Sequence, residues 1–145
     1  MSSFQPDWRW FALGSAFFAA LTAILAKIGI QGVPSNLGTA IRTIVVLVLA
    51  WGLVFARGEQ ASLPVLSRST WTFLILSGIA TALSWLCYFR ALQVAEAKYV
   101  APLDKLSLPL TIVLAALFLK EEWTVTTAIG VALVTLGTYV LTIPK

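Results

Sequence analysis

The sequence predicts an all-α, polytopic membrane protein with five transmembrane helices, and three observations carry that prediction. Hydrophobic residues make up 59% of the 145 and charged residues only 11%, giving a mean hydropathy of +0.92. Ordinary soluble domains are about a quarter charged. Five apolar stretches, at about residues 10–30, 36–56, 71–92, 100–119 and 124–143, are each long enough to cross roughly 30 Å of hydrocarbon at about 1.5 Å per residue. Trp8, Trp10, Trp51, Trp71 and Trp123 then fall near the membrane face that carries the N-terminus, and Tyr88, Tyr99 and Tyr139 toward the other. Amphipathic rings collect at interfaces in this way; Trp85 alone among the tryptophans lies deeper. Residues 1–145 therefore read as one multi-pass domain of a cell membrane, taken as a bacterial inner membrane.

Composition also narrows the chemistry. His is absent and Cys87 stands alone, which leaves no disulfide, no cysteine pair and no His-based metal site. Neither a metal nor a cofactor is expected. Without a nucleophile–base pair the chain is not expected to be an enzyme. The net charge of +4 and pI near 9.6 come from singly scattered Lys and Arg. Basic residues at membrane edges account for them better than nucleic acid, which is not an expected partner.

The first helix is too long and too weakly basic at its start for a cleaved signal peptide. At about 100° per residue, Ala12, Ser15, Ala16, Ala19, Ala20, Ala23, Ala26 and Lys27 share one side, a surface suited to close helix approach. Lys27 either snorkels to the interface from the last turn or stands at the mouth of a cavity. The second helix aligns Ser35, Gly38, Thr39 and Arg42. Arg42 is about two turns inside the span, roughly 10 Å by helical rise. It is read either as half of a helix-locking salt bridge or as a contact for a carboxylate or phosphate, which planar guanidinium suits. Residues 57–70 read as a plain surface loop.

The third helix carries Ser77, Thr81, Ser84 and Tyr88 in one polar stripe, either a hydrated path or hydroxyls bonded to their own backbone. Arg90, in the last turn and nearly opposite, reads first as an interface anchor and second as a ligand contact. In the fourth helix Pro102 and Pro109 each remove a helical hydrogen bond, from the Lys98 and Lys105 carbonyls. Asp104 lies on a face with Val100, Ser107 and Thr111, with Lys105 beside it. The fifth helix has Gly130 and Gly137 two turns apart, a surface for another helix of the same chain or of a second subunit. Lys27, Arg42, Arg90, Asp104 and Lys105 all fall in the same half of the membrane. Charges so placed usually face a partner or a watery cavity.

Tyr88-Phe89-Arg90-Ala91-Leu92, Val100-Ala101-Pro102-Leu103-Asp104-Lys105-Leu106-Ser107 and Phe118-Leu119-Lys120-Glu121, followed by a Gly-containing last helix, resemble the EamA-type domain of the drug/metabolite transporter superfamily over essentially the whole chain. The resemblance implies a half-length member: one five-helix half of an inverted-repeat transporter. The breaks at Pro102 and Pro109 separately make them the expected hinge of the fourth helix, since kinks concentrate where the hydrogen-bond ladder is interrupted. The Gly130 and Gly137 spacing is similar to the last-helix dimer contact of small multidrug resistance transporters. Those pumps place a Glu in their first helix, where this chain has Lys27.

The expected function is secondary transport of a small anionic or zwitterionic metabolite, such as an amino acid. Lys27, Arg42, Thr81, Ser84, Tyr88, Arg90, Asp104, Lys105 and Ser107 form the candidate site, and Arg42 and Asp104 are expected to approach each other. The alternatives are a lipid-linked headgroup flippase component and a non-transporting assembly subunit. Besides substrate and membrane lipid, the expected partner is a second copy, inserted parallel or antiparallel. Arg9, Arg57, Arg68 and Lys120 on one side face Lys98 and Lys145 on the other, joined by Lys27 and Arg90 if these snorkel. So small a bias does not force one orientation.

Overall fold

The computed structural model describes residues 7–143, which contain helices and connections but no strand. Helix α1 runs Trp8–Gly29, α2 Ser35–Arg57, α3 Arg68–Val94, α4 Ala97–Asp104, α5 Ser107–Leu114 and α6 Val125–Thr142. The segment Ala97–Leu119 joins α4, α5 and a π-type turn into one span, so five segments are long and apolar enough to cross a membrane. Most large apolar side chains on them are exposed, among them Phe17 (65%), Leu49 (69%), Phe73 (70%) and Leu133 (64%). In lipid such side chains are solvated by hydrocarbon, and only helices or closed barrels can satisfy the backbone there. The protein is a multi-pass membrane protein.

The chain divides into two compact units, Gly29–Val94 on one hand and the residues up to Ile28 with those from Ala95 onward on the other. In the first, α2 packs on α3. The helices come close at Gly38, where a Cβ would stand 3.5 Å from Phe89 Cδ1 and 3.6 Å from the Ile30 side chain, with no room for a larger side chain beyond it. Ile30, Phe89, Leu92 and Thr39 are the buried residues of this unit. The side of α2 expected to face inward is indeed the covered one, with Ser35, Gly38 and Arg42 half-buried around Thr39. Residues 57–70 are not a plain loop. Gly58, in the left-handed region at φ 70°, ends α2, and Glu59–Val65 then form a 3₁₀ helix that packs back on α2. Glycine adopts that φ without the Cβ penalty, which is why the chain turns there.

In the second unit α4 and α5 pack on α6, with Val100, Pro109 and Thr138 buried. The small-residue side of α1 is covered only at its end, where Ala23 is buried and Ala26 and Lys27 are half-buried. The proline segment does not form one continuous α-helix. Lys105 N–H bonds to the Pro102 carbonyl at 2.9 Å and Leu106 N–H to Leu103 at 3.1 Å, so the winding tightens between α4 and α5. The Lys105 carbonyl, deprived of a donor at Pro109, accepts from Leu108 N–H at 3.0 Å. Pro109 itself falls in the first turn of α5, where a missing N–H costs nothing. The π-type turn Ala115–Leu119 ends at Lys120, the one non-glycine among the described residues with positive φ, at 56°.

Candidate functional site

Arg42 is the best-placed candidate. Its guanidinium carbon lies 4.0 Å from the ring centre of Trp85 and 5.5 Å from that of Phe89. Trp85 and Phe89 are one helical turn apart on α3, so they form a continuous aromatic shelf. A cation over such a face gains about 0.5–2 kcal/mol, more where water is excluded. Stacking uses the flat face of the guanidinium and leaves its N–H edge for a hydrogen-bonding partner. Within Gly29–Val94 the only carboxylate is Glu59, and it lies 3.9 Å from Arg57 at the far end of α2. No carboxylate of this unit therefore balances Arg42.

Trp85 also borders a groove of about 580 Å³ between α2 and α3. Asn36, Thr39, Ala40, Thr43, Val46, Leu47 and Ala50 form one wall; Leu74, Ser77, Gly78, Thr81, Ala82, Trp85 and Leu86 form the other. The lining is mostly apolar. Three of its hydroxyl protons are committed to their own helix: Thr39 Oγ1 donates to the Ser35 carbonyl (3.0 Å), Thr43 to Thr39 (2.8 Å) and Thr81 to Ser77 (2.9 Å). Of the expected polar stripe, Ser77 and Thr81 line the groove, whereas Ser84 and Tyr88 are not among its lining residues. For Thr81 the backbone-bonded reading describes what the hydroxyl does.

The remaining candidates hold the connections. Arg90 is exposed and donates to Gln93 Oε1 at 2.6 Å, while Gln93 Nε2 donates to the Val33 carbonyl at 2.8 Å, tying the last turn of α3 to the connection before α2. Lys27 donates through Nζ to the Ala95 carbonyl at 2.7 Å, in the turn that leads into α4. Asp104 ends α4 and faces Lys105 at 3.6 Å, both side chains partly exposed. A carboxylate at a helix C-terminus opposes the dipole, and the adjacent ammonium offsets it. Ser107 begins α5, and its carbonyl accepts from the Thr111 hydroxyl at 2.8 Å. Arg42 and Asp104 belong to different units, and within its own unit each has the neighbours just described.

Gly130 and Gly137 both lie on exposed parts of α6, and a Cβ at either would meet nothing within 4 Å. Gly137 lines a shallow hollow of about 450 Å³ with Ala101, Pro102, Lys105, Val134, Thr138 and Leu141. Here α6 presents the buried Thr138 to the same hollow as Lys105. Sequence reasoning missed Trp85 and Phe89 as the shelf for Arg42; two aromatics one turn apart in the charged half of the span were the available signal. It also missed Gln93 and Thr138, which no pattern in the sequence distinguishes from ordinary polar residues.

Five apolar spans define a polytopic membrane protein, with a groove between two of its helices beside the stacked Arg42. The chain belongs to the EamA-like transporter family, whose model matches residues 8–143. It is 43% identical over 139 residues to a Sinorhizobium sp. protein described as an uncharacterized transporter in the cobO 3′ region, covering 96% of this chain and 99% of that one. It is also 33% identical over 72 residues to an uncharacterized protein of Methanocaldococcus jannaschii, across 50% of this chain and 53% of the other. No solved structure matches the chain.

Proposed function

We propose that the protein is a secondary carrier of a small anionic or zwitterionic metabolite, such as an amino acid, working as a dimer by alternating access. The observation that carries this reading is Arg42, held on Trp85 inside a span, in a unit whose one carboxylate lies beside another arginine. A charge at such depth costs at least a few kcal/mol unless it is compensated. A substrate carboxylate accepting two N–H bonds from the free edge of the guanidinium supplies that compensation. The Sinorhizobium relative, spanned almost end to end by this chain, supports a working unit of two copies, because inverted-repeat pathways need two such halves.

The test is a thermal-shift screen of purified protein with amino acids and small carboxylates. Compounds that raise the melting temperature of the wild type should fail with Arg42→Ala. With Arg42→Lys, which keeps charge but loses the planar fork, they should bind at least tenfold more weakly. A compound that stabilises wild type and Arg42→Ala equally would remove Arg42 from the site.

A further inference from the structure

The groove between α2 and α3 is graded along its length. Gly38 stands against Phe89 and Arg42 against Trp85, so residues later in α2 face residues earlier in α3. Arg42 is not itself a lining residue; it adjoins the groove through its stacking on Trp85, toward the end where α2 contributes Asn36, Thr39 and Thr43. Toward the other end it contributes Val46, Leu47 and Ala50, with Leu74 on α3. The lining runs from Asn36 to Ala50, 14 residues of one helix or roughly 21 Å at about 1.5 Å rise per residue. Gly78 and Ala82 keep the α3 wall low along the way. The hydroxyl protons of Thr43 and Thr81 are turned onto their own backbones, leaving few donors to penalise an apolar occupant.

We infer that the groove accepts a single alkyl chain bearing an anionic head, the head at Arg42 and Asn36 and the chain extending past Gly78 toward Leu47 and Leu74. This rests on the assignment of Arg42 as the anion contact and narrows the substrate class to acids with an extended apolar tail. Charge complementarity selects the head, since the only carboxylate of this unit is Glu59, beside Arg57. The mostly apolar lining selects the tail, and the volume of about 580 Å³ lies within the range of small-molecule sites. Short, wholly hydrophilic acids would leave most of the lining unfilled.

The experiment measures binding of straight-chain carboxylates, from butanoate to tetradecanoate, to the protein in nanodiscs of neutral lipid, with uptake by empty nanodiscs subtracted. Affinity should rise about fourfold per methylene until the chain fills the groove, then level off. Gly78→Leu should bring the plateau to a shorter chain, and Arg42→Ala should weaken binding of every member of the series. A Cβ at Gly78 meets nothing within 4 Å, so the new side chain starts in open space. A parallel series of alkyl phosphates separates the two sources of such a molecule. Preference for carboxylate supports a free acid as the occupant, and preference for phosphate would overturn that in favour of a lipid headgroup. Equal Arg42-dependent affinity along the whole series would overturn the tail site while leaving the anion contact standing. A length dependence that Gly78→Leu does not alter would also overturn it, as partition into lipid. Binding of neither series, as when a helix of a second copy fills the groove, would overturn both.

Discussion

Arg42 illustrates how a charge survives inside a span. Its guanidinium is spread over Trp85 and Phe89, which lowers the cost of leaving water while leaving a hydrogen-bonding edge unspent. The shelf depends on Gly38, because Phe89 packs against the space a side chain would occupy. Gly38→Ala should be tolerated, since its Cβ would sit at ordinary contact distance. Gly38→Leu should push α2 from α3 and cost about 1–3 kcal/mol, read as a lower melting temperature in detergent together with a weaker response to any carboxylate ligand. Lys27 belongs to a different class: its ammonium serves the Ala95 carbonyl, so Lys27→Met should loosen the turn into α4 without abolishing anion binding at Arg42.

At the scale of elements, the segment from Ala97 to Leu119 departs most from a plain span. The prolines do not each make a kink where they stand. Together they displace the hydrogen bonds so that the winding tightens at Lys105 and Leu106, between them. That leaves Asp104 and Lys105 at an interruption of the helix, where a small change in backbone angles would re-aim both charges. Pro102→Ala with Pro109→Ala should restore continuous α-helical bonding and slow transport at least tenfold while changing ligand affinity less than threefold, as measured by uptake into proteoliposomes and by thermal shift. Unchanged turnover in the double variant would dissociate the interruption from the transport cycle. The prolines were plain in the sequence. Where the break falls was not, because it depends on which carbonyls find i+3 donors once the regular ones are missing.

At the scale of the whole molecule, the proposed working unit is a homodimer with copies in opposite orientation. Arg9, Arg57, Arg68 and Lys120 on one side face Lys98 on the other, with Lys145 outside the described residues. Lys27 and Arg90 join that second side if they snorkel; Lys27 bonds to the Ala95 carbonyl and Arg90 to Gln93. The exposed Gly130 and Gly137 of α6 are the proposed subunit contact, since small residues let helix backbones approach. A single cysteine at Ser62→Cys, in a Cys87→Ser background, should be labelled by an impermeant reagent from both sides of intact membranes, in comparable amounts. Labelling from one side alone would establish a parallel arrangement.

The sequence by itself determined the class of protein and the number of spans, because hydropathy and length are properties of each segment and need no partner. It also marked the covered side of α2, since Ser35, Gly38, Thr39 and Arg42 share a helical phase. Only the tertiary structure decided what those charges touch. Whether Arg42 meets an aromatic ring or a carboxylate, and whether Thr81 bonds a ligand or the carbonyl of Ser77, depends on the register of α2 against α3. That register brings together residues 51 apart, Gly38 and Phe89, a pairing that no local pattern encodes. Periodicity assigns a side chain to a face, whereas packing across helices selects the neighbour it finds there.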